Sequence, residues 1–120
     1  MKDYQLGEME QQFAELIWEK APIPSGELVK LCGERFDWKK STTYTMLKRL
    51  CGKGIFENRE GTVIPALSRE EWVSAQSDAF VRETFGGSLP RFLAAFTRGK
   101  RLGPDEVAEI QKMIDEYQGE

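Results

Sequence analysis

The segment from Lys39 to Lys53 has the spacing of an amphipathic helix whose two sides differ in chemistry. Its apolar side is predicted to carry Thr43, Met46, Leu47 and Leu50. At 100° per residue, the opposite side carries Ser41, Thr45 and Lys48. Thr42 and Arg49 lie to one side of these residues, and Tyr44 lies to the other. Such a helix needs a protein core on one side and presents donors and positive charge on the other.

Two further helices are predicted before this one. The first runs from Leu6 to Lys20, and the segment Ala21-Pro22-Ile23-Pro24 stops it, because proline cannot continue a helix. Ser25 is predicted to cap the second helix. We expect the acidic residues of the first helix to be solvated surface: Glu8, Glu10 and Glu15.

A β-hairpin is predicted directly after the third helix. Two short apolar segments, 55–57 and 62–64, flank the polar turn Asn58-Arg59-Glu60-Gly61. Three helices followed by a hairpin make a winged helix-turn-helix, in which the hairpin is the wing. The predicted fold class is therefore mainly α, with a winged helix-turn-helix DNA-binding domain over residues 1–68.

Residues 69–120 are predicted to form a C-terminal helical dimerisation domain. Its helices span about 69–85 and 89–97, and a last helix starts at Pro104. About fifty residues do not easily bury a core of their own, so pairing with a second copy is expected. The candidate interface residues are Phe80, Phe85, Leu89, Phe92, Leu93, Phe96, Val107, Ile110, Met113 and Ile114. Which of them belong to the interface and which to the intramolecular core stays open.

Charge is distributed unevenly along this chain, whose net charge is -3. The acids between Phe36 and Glu60 are Asp37, Glu57 and Glu60. They are outnumbered by bases: Lys39, Lys40, Lys48, Arg49, Lys53 and Arg59. A local positive region in an acidic protein indicates a DNA footprint and a second half that does not contact DNA.

The same sequence excludes several other classes of protein. It has no histidine and no CxxC motif, so neither a metal site nor a cofactor is expected. It has no nucleophile motif or phosphate-binding loop, so we do not expect an enzyme. Cys32 and Cys51 are predicted to be buried free thiols. We find no signal peptide and no apolar span, and therefore expect a cytoplasmic protein without membrane insertion.

The predicted DNA-binding residues lie on the third helix and on the wing: Lys40, Ser41, Thr42, Tyr44, Thr45, Lys48, Arg49 and Arg59. Thr42 and Thr45 suit thymine methyl groups, whereas Lys40, Lys48 and Arg49 suit phosphates. Two of these residues have open alternatives. Tyr44 either stacks on the sugar-phosphate backbone or covers the neighbouring helix, and Arg59 either reaches the DNA or is an exposed turn residue.

Three blocks of this sequence resemble the penicillinase repressor family, which includes methicillin-resistance and copper-responsive repressors. LGEMEQQFAELIWE resembles its opening motif, and WKKSTTYTMLKRLCGKGIFENREG resembles its helix-turn-helix and wing. FGGSLPRFLAAF and LGPDEVAEIQKMIDE resemble its dimerisation helices. The resemblance implies a homodimeric repressor that binds a palindromic operator in double-stranded DNA.

The resemblance also implies a route of derepression. In the β-lactam branch, a membrane sensor protease triggers cleavage of the repressor before a phenylalanine, and the matching bond here is Ala95-Phe96. The family's Asn-Phe pair is not present at this position. No cysteine follows Cys51, which disfavours copper sensing. The operator, the regulated genes and the inducing signal do not follow from the sequence.

A second function remains compatible with the same fold. A winged-helix module that has lost DNA binding engages another protein through an exposed apolar patch instead. The cations around the third helix and the wing favour the repressor.

Overall fold

A computed structural model describes residues 4–117 of the chain. Within them, helices and strands follow in the order α1 Glu8–Lys20, β1 Ile23–Pro24, α2 Ser25–Phe36, α3 Lys40–Gly52, β2 Phe56–Arg59, β3 Thr62–Pro65, α4 Arg69–Phe85, α5 Leu89–Gly99 and α6 Pro104–Glu116. A mainly helical chain with one small antiparallel sheet confirms the predicted winged helix-turn-helix.

Side-chain caps mark the starts of α4 and α5. At α4, the Ser68 hydroxyl accepts from the Glu71 backbone N–H at 3.0 Å, and Glu71 accepts from the Ser68 N–H at 2.8 Å. This reciprocal pair is a capping box. Ser88 caps α5 by accepting from the backbone N–H of Arg91 at 3.2 Å. The expected cap at Ser25 is wrong, because Ser25 is the first residue of α2 and Pro24 occupies the cap position.

The sheet contains a strand that the periodicity did not predict. The strand order is β1-β3-β2, with both pairs antiparallel, and Ile23 of β1 lies opposite Val63 of β3. The wing turn is also tighter than predicted, because Asn58 and Arg59 belong to β2. Only Glu60 and Gly61 form the loop, at φ 53° and 88°. Two positive φ values in a two-residue loop are typical of a type I′ turn.

The chain divides into two compact units, the first ending at Ala79 and the second beginning at Phe80. The first unit holds every buried apolar side chain found in residues 4–117: Phe13, Ala14, Leu16, Ile17, Ile23, Leu28, Cys32, Leu47, Leu50, Ile55, Phe56, Val63 and Trp72. Trp72 belongs to this core, where its indole N–H donates to the Tyr4 carbonyl at 2.8 Å and its ring lies 5.5 Å from that of Trp18. The functional domain boundary between residues 68 and 69 stays a prediction.

The second unit has a different interior. Neither α5 nor α6 contains a buried residue. Phe80, Phe85 and Phe92 form an edge-to-face cluster with ring centroids 5.6–6.1 Å apart, and Phe96 lies 6.0 Å from Phe92. Aromatic rings prefer this geometry, yet here it leaves much of the apolar surface open.

Among residues 4–117 we find no helix that is both long enough and apolar enough to cross a bilayer.

Candidate nucleic-acid interface

The inner side of α3 anchors this helix in the core of the first unit. Thr43, Leu47 and Leu50 are buried there, and Met46 is half-buried at the edge. The Thr43 hydroxyl lies 3.5 Å from the Lys39 carbonyl, so the one polar side chain on this side has a hydrogen-bond acceptor. Burial of this side fixes the rotation of α3 about its own axis, which decides the direction of its other side chains.

The outer side of α3 carries the residues that the sequence predicted to contact DNA. We define the reading face as the exposed side chains of Lys40, Ser41, Thr42, Thr45, Lys48 and Arg49. The structure brings all six together on one helix. The ion pairs and side-chain hydrogen bonds seen among residues 4–117 leave Lys40 and Lys48 unengaged, so both ammonium groups point to solvent.

Tyr44 is half-buried at the edge of the reading face. Its hydroxyl donates to the Ser25 hydroxyl at 3.1 Å, which ties α3 to the start of α2. This contact matches the interpretation in which Tyr44 covers the neighbouring helix. Whether its ring also contacts DNA stays a prediction.

Arg59 is the last residue of β2, next to the wing turn. Its side chain is 67% exposed, and its guanidinium Nη2 lies 3.3 Å from a Glu57 carboxylate oxygen on the same strand. An exposed ion pair of this kind contributes little energy, so Arg59 can exchange Glu57 for another anion at small cost. Its contact with DNA remains a prediction.

The predicted solvent exposure of Glu10 is wrong. We expected a solvated carboxylate, but its side chain is only 14% exposed and lies beside the end of α3. Its carboxylate oxygens are 3.7 Å from Arg49 Nη1 and 3.6 Å from Lys53 Nζ. The hydrogen bond from the Gly7 backbone N–H is the main cause that lowers the pKa of Glu10, with partial burial opposing it and Lys53 and Arg49 adding to it.

Glu15 is a second correction on the same helix. It is half-buried and accepts from Arg69 Nε, with distances of 2.7 and 3.0 Å to its two oxygens. This bond from Arg69 is the main cause that lowers the pKa of the Glu15 carboxyl. The third acid, Glu8, is exposed as expected. The charge pattern of α1 does not distinguish the three, because the cations that pair with Glu10 and Glu15 are distant in sequence.

The two cysteines are free thiols. Cys32 is buried, and Cys51 is only half-buried, which corrects part of the prediction. Burial raises the pKa of both thiols, which makes them poor metal ligands and poor nucleophiles. Across residues 4–117, no group of three or more His, Cys, Asp or Glu side chains is placed to hold a metal ion.

The predicted dimerisation residues lie in the second unit, and none of the ten is buried. Those with exposed side chains are Phe80, Leu89, Phe96, Val107, Met113 and Ile114. Phe85, Phe92, Leu93 and Ile110 are partly covered. An apolar groove of about 220 Å³ runs between α5 and α6, lined in part by Leu93, Val107, Ile110 and Ile114. Met113 lies outside this groove.

The predicted cleavage bond lies in the middle of α5. Ala95 and Phe96 are both exposed, but their backbone is helical. A protease that binds its substrate in an extended conformation therefore requires local unwinding of α5 at this bond. Cleavage at Ala95-Phe96 stays a prediction.

Comparison with known proteins identifies the family of this chain. Residues 6–116 match the profile of the family described as "Penicillinase repressor". The chain belongs to the penicillinase repressor family. Its members are transcriptional repressors rather than enzymes.

Two relatives match this chain over nearly its whole length. The penicillinase repressor of Bacillus licheniformis is 25% identical over 117 residues, which cover 94% of this chain and 91% of the relative. The methicillin resistance regulatory protein MecI of Staphylococcus aureus strain Mu50 is 22% identical over 118 residues, covering 95% and 96%. The match therefore includes the second unit as well as the winged helix.

Proposed function

We propose that this repressor acts as a homodimer that binds a palindromic operator in double-stranded DNA through the reading face of each copy. One observation carries the proposal: the apolar side of α3 is buried while its hydroxyls and cations are exposed together. Short polar side chains approach base edges closely, whereas Lys and Arg hold the phosphates in register. A dimer with twofold symmetry matches an operator with twofold symmetry.

Within the reading face, we assign base contacts to Ser41, Thr42 and Thr45. Lys40, Lys48 and Arg49 bind phosphate, and Arg59 binds the backbone or the minor groove beside the wing. Two unengaged ammonium groups on one helix support this division, because phosphate binding needs cations that are available. Tyr44 supports the reading face from its edge through its contact with Ser25.

In the proposed dimer, the second unit forms the contact with the second copy of the chain. Its exposed apolar side chains, notably Leu89, Phe96, Met113 and Ile114, support an interface that a partner covers. The functional boundary then lies near residues 68 and 69, with the start of α4 also packed into the winged-helix core through Trp72. A single reading face is too small to specify a promoter, so repression depends on this pairing.

The proposal also includes a route of derepression. A membrane sensor protease would control cleavage of the repressor at Ala95-Phe96. The penicillinase and methicillin-resistance names of the relatives support an antibiotic signal. Whole cells treated with a β-lactam should contain a shortened repressor. An intact chain during induction of the target genes contradicts cleavage at this bond.

DNA binding is tested with a duplex taken from upstream of the repressor's own gene, by gel retardation over a range of salt concentrations. Thr45→Ala combined with Arg49→Ala should abolish sequence-specific retardation, because one base contact and one phosphate contact are lost in each copy. The matched control is Ser77→Ala with Lys30→Ala, which removes an exposed hydroxyl and an exposed cation outside α3.

Wild-type binding should weaken steeply as salt rises, since each copy displaces several counterions from the duplex. A wild-type protein that retards no upstream duplex at low salt contradicts the operator proposal. It favours the second candidate, a winged-helix module that engages another protein through its exposed apolar side chains.

A further inference from the structure

The reading face has an acidic neighbour that comes from a different helix. Glu10 lies in the first turn of α1, and its carboxylate is placed beside the last turn of α3. Of the six residues in the reading face, Arg49 is the one with an ion pair to another part of the protein in the described structure. Glu10 therefore contacts the reading face through Arg49.

Glu10 is held in place without any help from Arg49. Its Oε1 accepts a hydrogen bond from the Gly7 backbone N–H at 2.9 Å, at the exposed start of α1. Lys53 Nζ lies 3.6 Å from the same oxygen, and its ammonium donates to the Gln5 carbonyl at 2.7 Å. The negative charge is thus fixed by α1 and by the segment before it.

Arg49, in contrast, is held loosely. Its Nη1 is 3.7 Å from the carboxylate, which is beyond the 2.7–3.2 Å of an N–H···O hydrogen bond. The same nitrogen lies 3.7 Å from the Met46 sulfur, a weak acceptor, and the side chain is 54% exposed. The guanidinium is therefore attracted by Glu10 but is not clamped in one direction.

We propose that Glu10 sets the DNA affinity of this repressor, because its fixed carboxylate competes with DNA phosphate for the Arg49 guanidinium. This inference rests on the proposed operator binding. When DNA binds, Arg49 exchanges the carboxylate for a phosphate, and Glu10 keeps its contacts with Gly7 and Lys53. The Arg49–phosphate contact therefore adds less to DNA affinity, because the ion pair between Arg49 and Glu10 is lost when that contact forms.

A positioning role for Glu10 makes the opposite prediction. A carboxylate that orients Arg49 for DNA binding increases affinity, so its removal weakens binding. The long distance to Nη1, and the absence of an Arg49–Glu10 hydrogen bond in residues 4–117, favour competition. The sign of one substitution separates the two roles.

The test is Glu10→Gln, measured as the Kd for the upstream duplex by fluorescence anisotropy. Glutamine keeps an oxygen that accepts from the Gly7 N–H and removes only the charge. We expect Kd to fall roughly threefold to tenfold at low salt, the size of two partly exposed ion pairs in a dimer. The gain should shrink as salt rises, because salt screens the charge of Glu10.

Glu15→Gln is the matched control. It removes the same charge from the same helix, but its partner is Arg69, outside the reading face. We expect Kd to change less than twofold in this variant. Glu10→Ala removes the charge without supplying an amide, and it should shift Kd in the same direction as Glu10→Gln. Thermal melts of every variant give the folded fraction used in each Kd.

A double-mutant cycle assigns the effect to Arg49. In an Arg49→Ala background, Glu10→Gln should leave Kd unchanged within twofold. Weaker binding by Glu10→Gln, an equal gain in Glu15→Gln, or a gain that persists without Arg49 would each overturn the proposal. Failure of the wild type to bind is a different outcome, because it contradicts operator binding itself.

Discussion

The two compact units of this repressor stabilise themselves in different ways. The first unit packs α1–α3 and its sheet around side chains that are fully enclosed, including Phe13, Leu50 and Phe56. In the second unit, α5 and α6 are about as long as the helices of the first, but several of their large apolar side chains stay open to solvent. Met113 is 68% exposed and Ile114 is 59% exposed.

This difference separates what the first unit can do alone from what the proposed dimer would add. A winged helix that encloses its own core can orient α3 without a partner. An open apolar surface of several side chains is unfavourable in water, and it is typical of an interface before its partner binds. We therefore expect the stability of the second unit, but not that of the first, to depend on protein concentration.

The largest expected effect is Phe13→Ala in the first unit. Phe13 is fully buried, and its ring lies 5.3 Å from that of Trp38. Truncation leaves a cavity, so we expect a loss of about 3–5 kcal/mol in the free energy of unfolding. Urea unfolding followed by far-ultraviolet circular dichroism measures this loss, which should be the same at low and high protein concentration.

The matched substitution in the second unit is Phe96→Ala. Phe96 is exposed, so its truncation should cost less than that of Phe13 and the cost should vary with protein concentration. Equal losses for the two substitutions at every concentration contradict the difference between the units.

The next effect in size tests the interface directly. Met113→Asp places a charge on the exposed apolar side of α6, outside the groove that α5 and α6 share. We expect monomers by analytical ultracentrifugation and a DNA affinity lower by roughly a hundredfold, because the two reading faces no longer bind as one ligand. The winged-helix unit should keep its own unfolding transition.

Ala108→Asp is the control for this variant. It adds the same charge to an exposed position of α6 that is not among the predicted interface residues. A dimer that survives Met113→Asp, or one that Ala108→Asp disrupts equally, contradicts the proposed interface.

Periodicity, together with residues that start and end helices, was sufficient to predict the helices. The bounds of α4 agree with the prediction, since Ser68 and Glu71 cap its start and Gly86 follows its end at φ 61°. The two-residue strand β1 has no period to detect, and Pro24 argues against a strand. The tight turn was missed because a positive φ at Glu60 is uncommon for a residue other than glycine.

The reading face was predicted from the same periodicity, because burial of Thr43, Leu47 and Leu50 determines which residues of α3 point outward. The acidic partner of Arg49 was not predicted. Contacts between α1 and α3 depend on how the two helices pack, and neither local spacing nor charge pattern contains that information. The same reason explains why the Glu15–Arg69 pair was missed.

The smallest expected effect concerns this last pair, which ties α1 to the start of α4 within the first unit. The lowered pKa of Glu15 means that its stabilising contact is present above the ordinary glutamate value and is lost as pH falls through the lowered one. Wild type should therefore exceed Glu15→Gln slightly in urea midpoint at neutral pH, and the difference should shrink as pH falls below the ordinary glutamate range.

An acidic residue of the second unit supplies the control for this pH series. Glu109 is an exposed acid of α6 without an ion pair in the described part of the chain, so Glu109→Gln should leave the urea midpoint of the first transition unchanged at every pH. A Glu15→Gln difference that grows toward low pH has the wrong sign for a carboxylate stabilised by Arg69. That result assigns the acid sensitivity of the first unit to other groups, of which Glu10 is the next to test because its pKa is also lowered.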